Sequence, residues 1–324
     1  MIFPNHALIG SAAKIPTTSP TPVLSFSPVV LRCPSRRVDL QLRVSVPATG
    51  DALPIILLSH GHGRSNWLSS HEGYGPIADF WAGHGFAVIQ PTHLSSKTLD
   101  IALDGDNIRE LFLDSRTQDM TTILDNLNAI ENEVPLLKGR LDRTKIAVAG
   151  HSLGAMTASI LLGAINTDPR DGVKTEHVEK RIKAGIVIGG TGNSGADLSE
   201  NGKKMIPFYG IDFSTMKTPA LVVWGDEDVG PHLTNRGADW HEDPYTFAPG
   251  PKDSLSIKGG QHGFGGISGW DAGETLDESP ERLAVVQRMT LAYLKSQLYE
   301  GDSSWEEASK ALKGLEELGS VESK

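Results

Sequence analysis

Gly150, His151, Ser152, Leu153 and Gly154 form a G-x-S-x-G motif between an apolar run and a stretch of helical composition. In a strand–turn–helix setting this motif holds a serine in a sharp, strained turn, with its hydroxyl clear of the backbone. The flanking glycines serve that turn, because side chains there would collide with the neighbouring strand and helix. A helix N-terminus behind the serine favours negative charge developing beside it. A serine nucleophile needs a base and an orienting acid, ordered Ser, Asp/Glu, His along a chain of this kind. His262, within Gly259, Gly260, Gln261, His262, Gly263 and Phe264, is the candidate base. Of the 11 histidines it alone falls between the last expected strand and the final long helix. The acid should follow the penultimate strand, where Trp224, Gly225, Asp226, Glu227 and Asp228 stand. Asp228 is preferred, since a turn brings a carboxylate three residues past the glycine round to the histidine. Asp226 is the alternative, and also suits a turn-capping role.

Acyl transfer needs a second backbone N–H donor for the oxyanion, from the loop after an earlier strand. Ser59, His60, Gly61, His62 and Gly63 follow such a strand, and the small glycines let the chain approach a substrate. The expected donors are the N–H groups of His62 and Leu153. Read instead as a metal pair, His60 and His62 lack company. Arg64, Ser65 and Asn66 follow where further Asp and His ligands would stand. The expectation is no metal and no cofactor. Trp67, Phe264 and Trp270 are candidates to line an apolar substrate pocket, and the packing of long loops accounts for them equally well. Ser65, Asn66 and His71 are candidate polar contacts.

These groups require a parallel sheet to carry them. Short apolar runs at 54–59, 87–90, 146–149, 186–188 and 221–224 read as buried central strands, with 254–257 a weaker one. Residues 38–46 alternate as a half-buried strand does, and 28–33 is a further strand candidate. Helices are expected at 75–83, 115–133, 152–164 and 281–298, which alternate with the strands as in a sheet covered on both faces. Residues 191–218 read as a long excursion near the strand ends, without a large cap domain. The expected division is an irregular arm over 1–28, one α/β domain over 29–299 and a weakly docked helical tail over 300–324.

The chain has 324 residues, 39% of them hydrophobic, enough to bury a sizeable core. Lys and Arg total 30 against 40 Asp and Glu, a net charge of −10. That balance disfavours nucleic acid and anionic membrane surfaces as partners. One cysteine, Cys33, excludes an intramolecular disulfide and a Cys-ligated metal. No run reaches the roughly 18 apolar residues of a membrane span, and 1–13 lacks the basic start of a secretory signal. The expectation is a cytoplasmic protein acting on a small molecule, with its oligomeric state open.

Together these residues resemble the α/β-hydrolase superfamily over about 38–298. The branch it most resembles holds platelet-activating-factor acetylhydrolases, dienelactone hydrolases, chlorophyllases and cutinase-like polyesterases. The likeness is carried by 58–63, by 77–88 with Gly83, His84, Gly85 and Phe86, and by 141–152. It implies an α/β-hydrolase fold and a serine esterase acting on carboxylic esters or lactones through Ser152, Asp228 and His262. The chain departs from the branch in places. Dienelactone hydrolases carry cysteine where Ser152 stands, and Gly154 is followed by Ala155 rather than by the second glycine frequent in acetylhydrolases. Ile188, Gly189, Gly190 and Thr191 offer no acid at the strand end that acetylhydrolases use. An amidase or C–C hydrolase using the same residues, and a non-catalytic ligand receptor, remain alternatives.

Overall fold

The computed structural model describes residues 6–101 and 113–324. Within them the chain forms β1 (Val23–Leu31), β2 (Leu40–Pro47), β3 (Leu53–Ser59), β4 (Ala87–Pro91), β5 (Leu141–His151) and β6 (Ile165–Thr167). After these come β7 (Lys174–Thr175), β8 (Ile182–Ile188), β9 (Ile211–Asp212), β10 (Ala220–Gly225), β11 (Lys252–Ile257) and β12 (Gly319–Ser323). The longer helices are α1 (Gly75–Gly83), α2 (Leu113–Asp125), α3 (Leu153–Leu161), α4 (Pro280–Leu298) and α5 (Ser304–Leu312). Nine strands make one sheet in the order β1-β2-β4-β3-β5-β8-β10-β11-β12. The run from β4 to β11 is parallel, and the flanking strands β1, β2 and β12 are antiparallel to their neighbours. This is a mixed α/β fold with a mostly parallel central sheet.

The two-residue period of a strand explains why the central runs are apolar throughout. In β3, Ile55 and Leu57 face one core, and Ile56 and Leu58 face the other. In β5, Ile146 and Val148 divide from Ala147 and Ala149 in the same way. The first core is closed by α2 and α3, the second by α1, α4 and α5. Among the described residues no helix is long and apolar enough to cross a membrane.

Several elements differ from expectation. The arm over 1–28 is irregular only in part where it is described: it holds two helical turns, His6–Ile9 and Gly10–Lys14, then 15–22 without helix or strand, and β1 already begins at Val23. Its start, residues 1–5, lies outside the described residues. Ala12 and Ile15 are buried against α4, and Arg288 Nη1 donates to the Ile15 carbonyl at 2.5 Å. The Pro- and Ser-rich composition fits β1 because an edge strand tolerates proline, and its register shifts between Phe26 and Val29. The helix expected over 115–133 is divided at Asn126 into α2 and Leu127–Glu133. The excursion at 191–218 contributes β9 to a small sheet of order β7-β6-β9. The tail is not weakly docked. Ala308, Leu312, Leu315 and Leu318 are buried, and β12 extends the sheet antiparallel to β11.

Candidate active site

The candidate residues gather at the carboxyl ends of neighbouring parallel strands, where open α/β sheets place their ligand crevices. Residues 60–63 follow β3, Ser152 follows β5, Asp228 follows β10 and His262 follows β11. Ser152 has φ 57° and ψ −121°, a left-handed conformation that a non-glycine residue adopts only under constraint. Its N–H donates to the Ile188 carbonyl at 3.0 Å, and its carbonyl accepts from Ala155 at 2.9 Å as α3 begins. The flanking glycines are sterically required. A Cβ at Gly150 would strike the Gly154 carbonyl, and one at Gly154 would strike the Ser59 carbonyl. The elbow therefore stays closed against β3.

Asp228 and His262 meet directly, with Oδ2 2.9 Å from Nδ1. Burial of Asp228 acts against its charge, but His262 and His241 outweigh it and hold its carboxyl below the usual 3.8. Burial likewise opposes a charged His262, and the Asp228 charge and hydrogen bond overcome it, raising the ring above 6.5. Asp226 lies elsewhere: its Oδ1 accepts the Gly259 N–H at 2.7 Å, and its Oδ2 pairs with Lys258 at 2.8 Å. Asp226 thus caps a turn. A cleft of about 500 Å³ opens beside His262 and is lined by Asp226 to Val229 and by Gln261. The Ser152 hydroxyl has no hydrogen bond to His262 or to any other described residue. Unliganded active sites commonly show this contact loose, to be tightened by substrate.

The loop carrying the candidate donor lies against the elbow. A Cβ at Gly61 would stand 3.3 Å from Ser152 Cβ and 3.0 Å from Tyr74 Oη. Leu153 opens α3, where the first N–H groups have no intrahelical acceptor. Among the described residues no acceptor meets the His62 N–H. Burial pushes the His62 ring down to about 4, so it is uncharged near neutrality. His60 is turned away from solvent: its Nε2 accepts from the His93 N–H at 3.0 Å, and its Nδ1–H donates to the Gly61 carbonyl at 2.7 Å.

Trp67 and Trp270 are 39% and 48% exposed and lie over Gly269 and Gly266, on the loop that carries His262. Phe264 is fully buried and packs edge-on to His151, 5.9 Å between ring centroids. It belongs to the core that α1, α4 and α5 close. Among the candidate polar contacts, Ser65 is held by Glu274 at 2.8 Å, and His71 Nδ1 lies 2.5 Å from Thr92 Oγ1. Asn66 opens the short helix Asn66–Ser69, and its carbonyl accepts from the Ser70 hydroxyl at 2.9 Å.

Sequence reasoning missed several residues that hold the site. Arg116, fully buried, donates to Thr157 at 2.9 Å, to Ser95 at 2.7 Å, to Ser59 at 3.3 Å and to the His60 carbonyl. Asp277 accepts from the N–H groups of Gln261 at 3.2 Å and Gly265 at 3.3 Å, bracketing His262. Glu274 accepts from Arg64 and Ser65 N–H, both at 2.6 Å, just beyond the candidate donor loop. His241 Nδ1–H donates to the Gly190 carbonyl at 2.6 Å, and its Nε2 faces Asp228 Oδ2 at 3.5 Å. None of these lies in a motif. The one available signal was a charged residue inside an otherwise apolar pattern, as at Arg116. No protein-family model matches the chain, and no curated protein matches it in sequence.

Proposed function

We propose that the protein is a serine hydrolase of the α/β-hydrolase superfamily that cleaves carboxylic esters or lactones through an acyl-enzyme on Ser152. The observation that carries this reading is the 2.9 Å Asp228–His262 hydrogen bond at the same sheet edge as a serine held at φ 57°. A structural turn has no need of both. In the reaction, Ser152 Oγ attacks the ester carbonyl carbon while His262 Nε2 takes its proton. Asp228 fixes the imidazole with Nδ1 protonated and stabilises the imidazolium that forms. The carbonyl oxygen, now an oxyanion, accepts from the N–H groups of His62 and Leu153, each such donor being worth about 3–4 kcal/mol of barrier. The intermediate collapses as His262 protonates the departing alcohol, leaving Ser152 acylated. Water then attacks the acyl carbon with the same base and the same donors, and releases the acid. None of these steps calls on a metal or cofactor.

A fluorophosphonate probe followed by peptide mapping tests the nucleophile. Labelling should fall on Ser152 and vanish in Ser152→Ala, together with turnover of nitrophenyl esters. Labelling elsewhere, or undiminished turnover in Ser152→Ala, would sink the reading. Increasing acyl chain length across the ester panel then measures the depth of the pocket.

A further inference from the structure

Three elements that must cooperate in the proposed reaction are joined by one continuous chain of buried hydrogen bonds. The Gly61 N–H meets Tyr74 Oη at 3.0 Å. Tyr74 Oη lies 2.9 Å from His151 Nδ1, and His151 Nε2 lies 2.8 Å from the His262 carbonyl. Donor and acceptor roles follow from chemistry. A carbonyl only accepts, so His151 Nε2 carries a proton and donates it to His262. Burial pushes the His151 ring down to about 3, so it is neutral and its Nδ1 carries none. Tyr74 therefore donates its hydroxyl hydrogen to His151 Nδ1 and accepts from Gly61 with its lone pair. The Tyr74 hydroxyl also lies 3.4 Å from the Leu68 carbonyl, a longer contact than the 2.9 Å to the His151 nitrogen that takes its hydrogen. Both side chains are fully buried.

The peptide at the head of this chain is the one that precedes the candidate oxyanion donor. Its N–H, from Gly61, is held by Tyr74, and its carbonyl, from His60, by Arg116. Clamped at both ends, that plane cannot rotate, and the next plane, which carries the His62 N–H, is held through its Gly61 carbonyl by His60 Nδ1–H at 2.7 Å. The tail of the chain holds the backbone of His262 itself. We infer that Tyr74 and His151 are positioning residues, which set the oxyanion loop and the His262 loop at one fixed separation across Ser152. The inference rests on the proposed hydrolase reading and adds to it a role for the residue preceding the nucleophile. Tyr74, 78 residues before Ser152, is fully buried and has a left-handed backbone of φ 63°.

The test uses the full chain, with Ser152 labelling by a fluorophosphonate as the reference and a phenylboronic acid as mimic of the tetrahedral intermediate. Tyr74→Phe keeps the ring and removes the link. It should lower kcat about 10- to 100-fold with KM changed less than two-fold, as small misplacements of reacting groups do. Boronate affinity should fall in step with kcat. His151→Phe should do the same, and the double variant should lose no more than the worse single one, because both cut one chain. Should Tyr74→Phe not fold, His151→Phe alone carries the kcat–KM and boronate measurements. Unchanged kcat and boronate affinity in a folded variant, or losses that multiply in the double variant, would overturn the inference while leaving the hydrolase reading in place. Wild-type protein unlabelled at Ser152 would remove the hydrolase reading, and the positioning role with it.

Discussion

Asp228 Oδ2 stands 2.9 Å from His262 Nδ1, joining the loops after β10 and β11 at the edge of the sheet where Ser152 lies half-buried. The same oxygen lies 3.5 Å from His241 Nε2, but the proton of that neutral ring sits on Nδ1 and goes to the Gly190 carbonyl, so His262 is the imidazole that Asp228 holds. Asp228 is thereby the electrostatic centre of the candidate site, and several expectations depend on it.

Asp228→Asn should reduce kcat on a nitrophenyl ester about 10⁴-fold, because it leaves the base without its orienting charge. Asp226→Asn should stay within a few-fold of wild type, since Asp226 holds Gly259 and Lys258 rather than the imidazole. Steady-state kinetics of the two variants decides, and a reversed order of losses would exchange their roles.

The pH profile carries a sign. His262 must be neutral to act as base, and Asp228 raises its pKa. Activity should therefore rise with pH through an inflection above 6.5. In Asp228→Asn the raising influence is gone and burial remains, so the residual activity should inflect at lower pH. An inflection that stays in place, read from log kcat/KM against pH, would contradict Asp228 as the partner. His151, held at about 3, contributes nothing to this limb.

Gly154→Ala should destabilise the fold as well as the site. The new Cβ meets backbone, the Ser59 carbonyl, which cannot move without parting α3 from β3. Overpacking of this kind costs about 1–3 kcal/mol or more. Denaturant midpoints should fall accordingly, and Ser152 labelling should slow. A variant as stable and as reactive as wild type would show that the elbow is not under that constraint.

Glu274→Gln removes the charge that gathers the Arg64 and Ser65 N–H groups. Loss of up to about ten-fold in kcat is expected, with the global unfolding midpoint nearly unchanged. The carboxylate lies at the surface, and exposed ionic contacts contribute little to stability. Hydrogen exchange at Arg64 and Ser65 should quicken, and unaltered exchange there would count against the clamp.

The strand–turn–helix setting of Ser152 and the strands on either side were legible because they are local. Apolar runs with period two, glycines where a Cβ cannot fit, and the position of His262 between strand and helix are all encoded within a few residues. The edges were less legible. The proline-bearing β1 and the polar β12 carry weak patterns because only one of their flanks pairs, and their place is decided by the neighbour that accepts them. The burial of Phe264 against His151 was likewise unreadable, since an aromatic residue in a glycine-rich loop can face either way.

What the amino-acid sequence by itself determined is the set of groups able to do acyl chemistry and the parallel sheet that brings strand ends together. Which carboxylate meets His262, and how the backbone before His62 is held, was decided only in three dimensions. Asp226 and Asp228 are chemically identical and two residues apart, so only the turn after β10 separates a cap from an imidazole partner. Tyr74, Arg116 and His151 come from three different elements. Their hydrogen bonds exist because folding removes them from water together, where each polar atom must find a partner or leave a costly unpaired group.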